Sequence, residues 1–134
     1  MKKLISILCL AMVVAVLPAC TKKYITPNPN RTIKFDVPSS SWVLSNDGRS
    51  YYSVIDVPEI DDYFNENGGV LVYFSFDNDG VVYEQIPQVY DGVAYSYTHN
   101  NGAIVLYAQT PDGVTPVRPA SAKLKLLLID SDEI

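Results

Sequence analysis

Several residue types are scarce in this chain, and each scarcity excludes some chemistry. Of 134 residues only two are cysteine, Cys9 and Cys20. Beyond residue 20 there is no thiol, which rules out a disulfide, a thiol nucleophile and a thiolate metal site there. His99 is the only histidine, so a Ser–His–Asp relay would have to use it, and no Gly-x-Ser-x-Gly elbow accompanies it. Gly-rich phosphate loops, zinc-ligand spacings and dinucleotide fingerprints are likewise missing. The longest apolar run, residues 4–17, has 14 members, short of the roughly 20 that a membrane-spanning helix requires. Basic residues are also few, ten against fifteen acidic. Such a balance repels nucleic acid and anionic headgroups, and nucleic acid is not an expected partner.

What is present begins with a leader. Lys2 and Lys3 precede the run LISILCLAMVVAVL, and Pro18 ends it. A positive start followed by a short apolar core reads as a signal peptide, residues 1–19. Leu17-Pro18-Ala19-Cys20 resembles the lipobox of bacterial lipoproteins. In that family the cysteine sulfur receives a diacylglyceryl group, a dedicated peptidase cuts between the residues that match Ala19 and Cys20, and the new amino group is acylated. Cys20 would then be consumed as a thioether and Cys9 discarded with the leader. Two or more acyl chains hold a protein stably at a bilayer, at about 0.8 kcal/mol per buried methylene.

Residues 20–31 read as the lipidated cysteine and a flexible tether, because the TPNPN stretch supports no core element. Fully extended, residues 21–31 reach about 34 Å. The tether lacks the acidic run that follows the cysteine in many surface-exported lipoproteins of gut bacteria. By that resemblance the expected location is the outer membrane, facing the periplasm, with surface display as the other orientation. Without Lys2 and Lys3 the charge falls to −7.

Residues 32–134 have the length of one domain. Period-two alternation begins with Ile33, Phe35 and Val37 and continues through Trp42 and Leu44. Residues 49–57 read as a strand whose inward face is ambiguous. Val70, Val72, Phe74 and Phe76 share one side of the next run. Residues 93–99 and 103–109 flank Asn101-Gly102, a strong hairpin signal. Residues 122–129 alternate Leu124, Leu126 and Leu128 with Lys123 and Lys125, and KLKLLLI would make a serviceable edge strand. Asp-Gly recurs at 47–48, 79–80, 91–92 and 112–113. The expected fold is all-β: a single Ig-like or Greek-key β-sandwich of about seven strands. One short helix is expected over 58–69, with Pro58 at its first position, Ile60, Tyr63 and Phe64 facing the sheet, and Gly68 as a left-handed stop.

The lipobox, the SSSW stretch at 39–42, the YY and VPEI stretches at 51–60 and the GGVLVYF stretch at 68–74 together resemble a group of small lipoproteins of Gram-negative gut bacteria. The resemblance implies a β-sandwich at the cell envelope and brings no activity with it.

The residues that could carry chemistry each have a structural alternative. Asp77 and Asp79 could ligate calcium, but their spacing departs from the EF-hand pattern and a hairpin turn accounts for them better. Glu59, Asp61 and Asp62 suit a helix start better than a catalytic pair. Tyr95 and Tyr97 share one face of a strand with His99. As an exposed pair they would stack a sugar or anchor a protein partner, and as core cover they would do neither. They are the candidate ligand-binding residues. No metal or cofactor is expected, and the chain is not expected to be an enzyme. The expected function is a binding or accessory module held to the membrane through the lipid on Cys20, recognising an envelope protein or a glycan. The alternative is an assembly subunit that pairs through an edge strand. Radioactive palmitate fed to producing cells should label the wild-type protein and not Cys20→Ser. Equal labelling of the two would refute lipidation at that sulfur.

Overall fold

The computed structural model describes residues 30–131; the leader, Ala19, Cys20 and nearly all of the tether lie outside the described residues. Alternation of apolar and polar side chains produces nine strands. These are β1 (Arg31–Val37), β2 (Val43–Leu44), β3 (Ser50–Asp56), β4 (Gly69–Ser75), β5 (Glu84–Ile86), β6 (Gln88–Tyr90), β7 (Val93–Asn100), β8 (Ala103–Gln109) and β9 (Ala122–Ile129). The fold is an all-β sandwich of two antiparallel sheets, ordered β1-β9-β4-β5 and β2-β3-β8-β7-β6. The count exceeds the expected seven because β2, β5 and β6 are only two or three residues long, too short to stand out in a period-two pattern. β1 starts at Arg31, one residue inside the segment read as tether.

The chain changes sheet four times. A single 3-10 turn, Ser39–Ser41, lies between β1 and β2, and the helix α1 (Asp62–Asn67) lies between β3 and β4. The Ile86–Pro87 bond, which is cis, joins β5 to β6. Residues 110–121 return from β8 to β9. The remaining connections are hairpins.

Inward side chains of both sheets form one core. Val72, Phe74, Ile86, Ile104, Leu106, Leu124, Leu126 and Trp42 are essentially inaccessible to solvent. In β3 the inward positions are Tyr51, Ser53 and Ile55, so Tyr51 joins the core rim while Tyr52 points outward. Phe76 lies just beyond β4, partly buried against the core.

One expectation is corrected by the topology. KLKLLLI is not an edge strand: β9 runs between β1 and β4 and pairs along its length with both. The run is apolar on its inward side at every alternate position, and such a strand buries most when flanked on both edges.

The helix differs from expectation at both ends. It begins at Asp62, not Pro58, because the Asp61 carboxylate accepts the Phe64 N–H at 2.8 Å and caps it there. Ile60 therefore precedes the helix, although it and Phe64 are both buried as anticipated; Tyr63 is exposed. Gly68 closes the helix in an extended conformation (φ −85°), open to any residue. Its reason is steric: a Cβ would lie 2.7–2.8 Å from three atoms of the Phe64 ring. Gly68→Ala should therefore cost about 1–3 kcal/mol by overpacking, read from urea unfolding. Gly69→Ala, whose nearest contact would be 3.8 Å away, should cost less.

Candidate functional site

The two ends of the sandwich carry different polar structures. At one end, the β7–β8 hairpin holds the helix. The Gly102 N–H donates to Ile60 O at 2.7 Å, and the Val57 N–H donates to Gly102 O at 2.8 Å. His99 Nδ1 meets Asn65 Oδ1 at 3.0 Å, so this half-buried histidine is tied to the helix. The Asn101-Gly102 turn forms where expected, with only Gly102 at positive φ.

Three of the four Asp-Gly turns share one device. The carboxylates of Asp47, Asp79 and Asp112 each accept the N–H two residues on, from Arg49, Val81 and Val114. This Asx geometry suits a following glycine at positive φ. Asp79 also accepts from the buried Ser75 hydroxyl at 2.9 Å. Its pKa lies below the usual carboxylate value, chiefly through the Val81 N–H and then the Ser75 hydroxyl. Asp79, one of the two acids weighed for calcium, is thus engaged within its own turn, as the turn reading expected. Among the described residues there is no cluster of three or more histidine, cysteine or acidic side chains able to hold a metal. The fourth turn, Asp91-Gly92, is a two-residue hairpin with both residues at positive φ.

The other end of the sandwich holds a cleft of about 450 Å³ between this Asp91-Gly92 hairpin and the 110–121 segment. Its walls include Tyr90, Asp91, Tyr95, Thr110, Val117 and Arg118. Pro116 and Pro119 are buried and pin the segment to the sandwich. Four hydrogen bonds fasten the same segment to residues 39–48. Ser39 N–H donates to Ser121 Oγ, Ser39 Oγ to Pro119 O, Arg118 Nη1 to Trp42 O and Thr115 Oγ1 to Gly48 O. The Arg118 guanidinium also lies 5.4 Å from the centre of the Tyr51 ring.

Beneath the cleft is an aromatic cluster. The Phe76 and Tyr90 rings stack in parallel with centroids 4.1 Å apart, and Tyr95 touches Phe76, Phe74 and Trp42. A small cavity of about 50 Å³ lies among these rings and shares Tyr90, Tyr95, Pro119 and Ala120 with the cleft. Trp42 forms part of its wall and is 1% exposed. Its Nε1–H is the one buried side-chain polar atom without a hydrogen-bond partner among the described residues. An unpaired buried donor costs about 1–3 kcal/mol, and such a group in a native fold calls for an explanation.

The two candidate tyrosines are separated in role. Tyr95, 8% exposed, belongs to the aromatic cluster and lines both cavity and cleft. Tyr97 donates its hydroxyl to Val70 O at 2.6 Å and packs on the core at a distance from the cleft. Burial raises the pKa of both, and nearby Asp91 adds to the effect at Tyr95. Negative charge also gathers at Tyr90, whose pKa is raised first by Asp77 and also by Glu84 and Asp91. Trp42, Tyr90 and the 110–121 segment were not legible as site residues. Their only sequence signals are the proline spacing at 111, 116 and 119 and the Asp-Gly pair at 91–92.

No protein-family model, curated protein or solved structure matches the chain significantly.

The turn carboxylates set an acid-side prediction. Because the folded-state pKa of Asp79 is depressed, its stabilisation is present above the ordinary value of 3.8 and lost as pH falls through the lowered one. The melting temperature of Asp79→Ala should lie below wild type at neutral pH, and the gap should narrow below pH 3.8. A gap constant from pH 7 to 2 would show that the carboxylate charge contributes nothing.

Proposed function

We propose that the protein is a lipid-anchored module of the cell envelope that binds a ligand in the cleft between the Asp91-Gly92 hairpin and the 110–121 segment, without catalysis. The observation that carries this reading is the cleft itself. Its volume falls within the roughly 300–1,000 Å³ typical of small-molecule sites, and it combines aromatic wall with a few convergent polar groups. Arg118 offers donors, Asp91 offers an acceptor, and Tyr90 and Tyr95 supply ring surface. The absence of catalysis is supported by where the titratable groups are spent: His99 on the helix and Asp79 on its own turn. The lipobox at Leu17–Cys20 supports the anchor, and the membrane is the partner reached through it. An envelope glycan or protein is the partner reached by the cleft, and the periplasmic face of the outer membrane is the proposed location.

A second reading has one observation in its favour. β1 is seven residues long and is paired on one side only among the described residues. An open edge of that length can accept a strand from a neighbour. It competes against Lys34 and Asp36, whose charges on the outward face discourage unselective pairing.

The two readings separate cleanly. Val117 is 84% exposed on the cleft wall, so Val117→Arg should leave the unfolding midpoint unchanged. On glycan arrays and in envelope pull-downs the variant should bind at least about tenfold more weakly than wild type. Equal binding by the two proteins would refute the cleft as the site. Concentration-dependent dimers on sizing, abolished by proline substitution in β1, would favour the edge-strand reading.

A further inference from the structure

The orphan indole N–H, the small cavity and the charge around the cleft together specify a ligand chemistry more closely than the cleft alone. The cavity, at about 50 Å³, exceeds the ~10–15 Å³ that a single water needs. A buried water also needs two to four polar partners. Here the walls are mostly apolar: Trp42, Phe74, Phe76, Pro119, Ala120 and Ala122, with Tyr90 and Tyr95 adding ring surface. Trp42, one of these walls, carries a buried Nε1–H that has no hydrogen-bond partner among the described residues. The complementary group is therefore compact, uncharged and apolar on most of its surface, with a single acceptor. A carboxylate is disfavoured, since Asp77, Glu84 and Asp91 already surround Tyr90. A bare hydroxyl supplies an acceptor but no apolar bulk. An acetamido group supplies both, a methyl for the aromatic wall and a carbonyl oxygen for the indole.

We propose that the cleft binds an N-acetylated hexosamine, with its acetamido group in the cavity beside Trp42 and its ring in the cleft above. The inference rests on the cleft being a binding site and adds the identity of what fills it. The sugar ring then lies where its hydroxyls meet the Arg118 guanidinium, which spends one of its five N–H groups on Trp42 O, and the Asp91 carboxylate. Its C–H face lies against tyrosine ring surface. An acetylated amine such as N-acetyl-lysine shares the acetamido chemistry but has no ring of hydroxyls to use Asp91 and Arg118, so the sugar is the better match.

Trp42 is the only tryptophan in the chain, which makes the test direct. Full-length protein labelled with ¹⁵N gives one indole N–H resonance. A trimer of N-acetylglucosamine should shift that resonance downfield saturably and change the tryptophan emission over the same concentrations. The glucose trimer of the same linkage lacks the acetamido group and should bind about 10–100-fold more weakly. N-acetyl-lysine should leave the resonance in place. An indole signal that ignores the acetylated trimer, responds equally to the glucose trimer, or responds as strongly to N-acetyl-lysine would overturn the proposal. The two levels of the reading fail differently. If Val117→Arg abolishes capture of some other ligand while the indole stays silent, the acetamido inference falls and the cleft remains a site. If Val117→Arg changes no binding at all, the cleft reading falls with it.

Discussion

The cleft end of this sandwich depends on the burial of one indole. Trp42 follows the Ser39–Ser41 turn, where the chain crosses from one sheet to the other, and its ring enters the core between them. There it meets Phe74 and Tyr95, one from each sheet. Burying so large a ring closes the sandwich at that end and gives the 110–121 segment a surface to cross. The hydrogen bonds from Ser39, Trp42 and Gly48 to that segment span 67 to 82 residues of sequence. The indole supports the floor of the cleft, while these hydrogen bonds and the buried Pro116 and Pro119 hold its far wall.

The same burial leaves a defect. A ring this large cannot be fully surrounded by Pro119, Ala120 and Ala122, whose side chains are small, and a void remains beside it. Protein interiors usually close such voids, because unfilled contacts forfeit dispersion energy. This void is walled by Trp42, whose Nε1–H is unpaired among the described residues, and it shares walls with the open cleft. The proposed ligand chemistry therefore rests on the cavity and not on any cluster of charges.

Charge has other work in this molecule. Asp47, Asp79 and Asp112 hold turns in the anionic form, so three of the fifteen acidic residues have a structural use. On the outer face of the four-stranded sheet, Lys123 pairs with Asp36 at 3.0 Å, and Lys125 lies over the rings of Tyr73 and Tyr83. Exposed pairs of this kind add little stability, typically below about 1 kcal/mol. They place charge on the outer face of that sheet, whereas the aromatic rings beneath the cleft are largely buried.

Residue order alone determined what nearest neighbours control. Alternation at Ile33–Val37, Val70–Phe74 and Leu124–Leu128 placed strands and their inward faces, since a strand's side chains alternate whatever it pairs with. Asp-Gly and Asn-Gly placed turns because those residues tolerate positive φ or cap their own backbone. Strand partnership was not readable in this way. That β9 is interior follows from strand order within its sheet, and that Tyr95 meets Trp42 follows from how the two sheets face each other. The cleft belongs wholly to that second class. Its walls come from the Asp91 hairpin, Tyr95 and residues 110–121, segments with no local pattern in common, brought together only when one core must be closed from both sides at once.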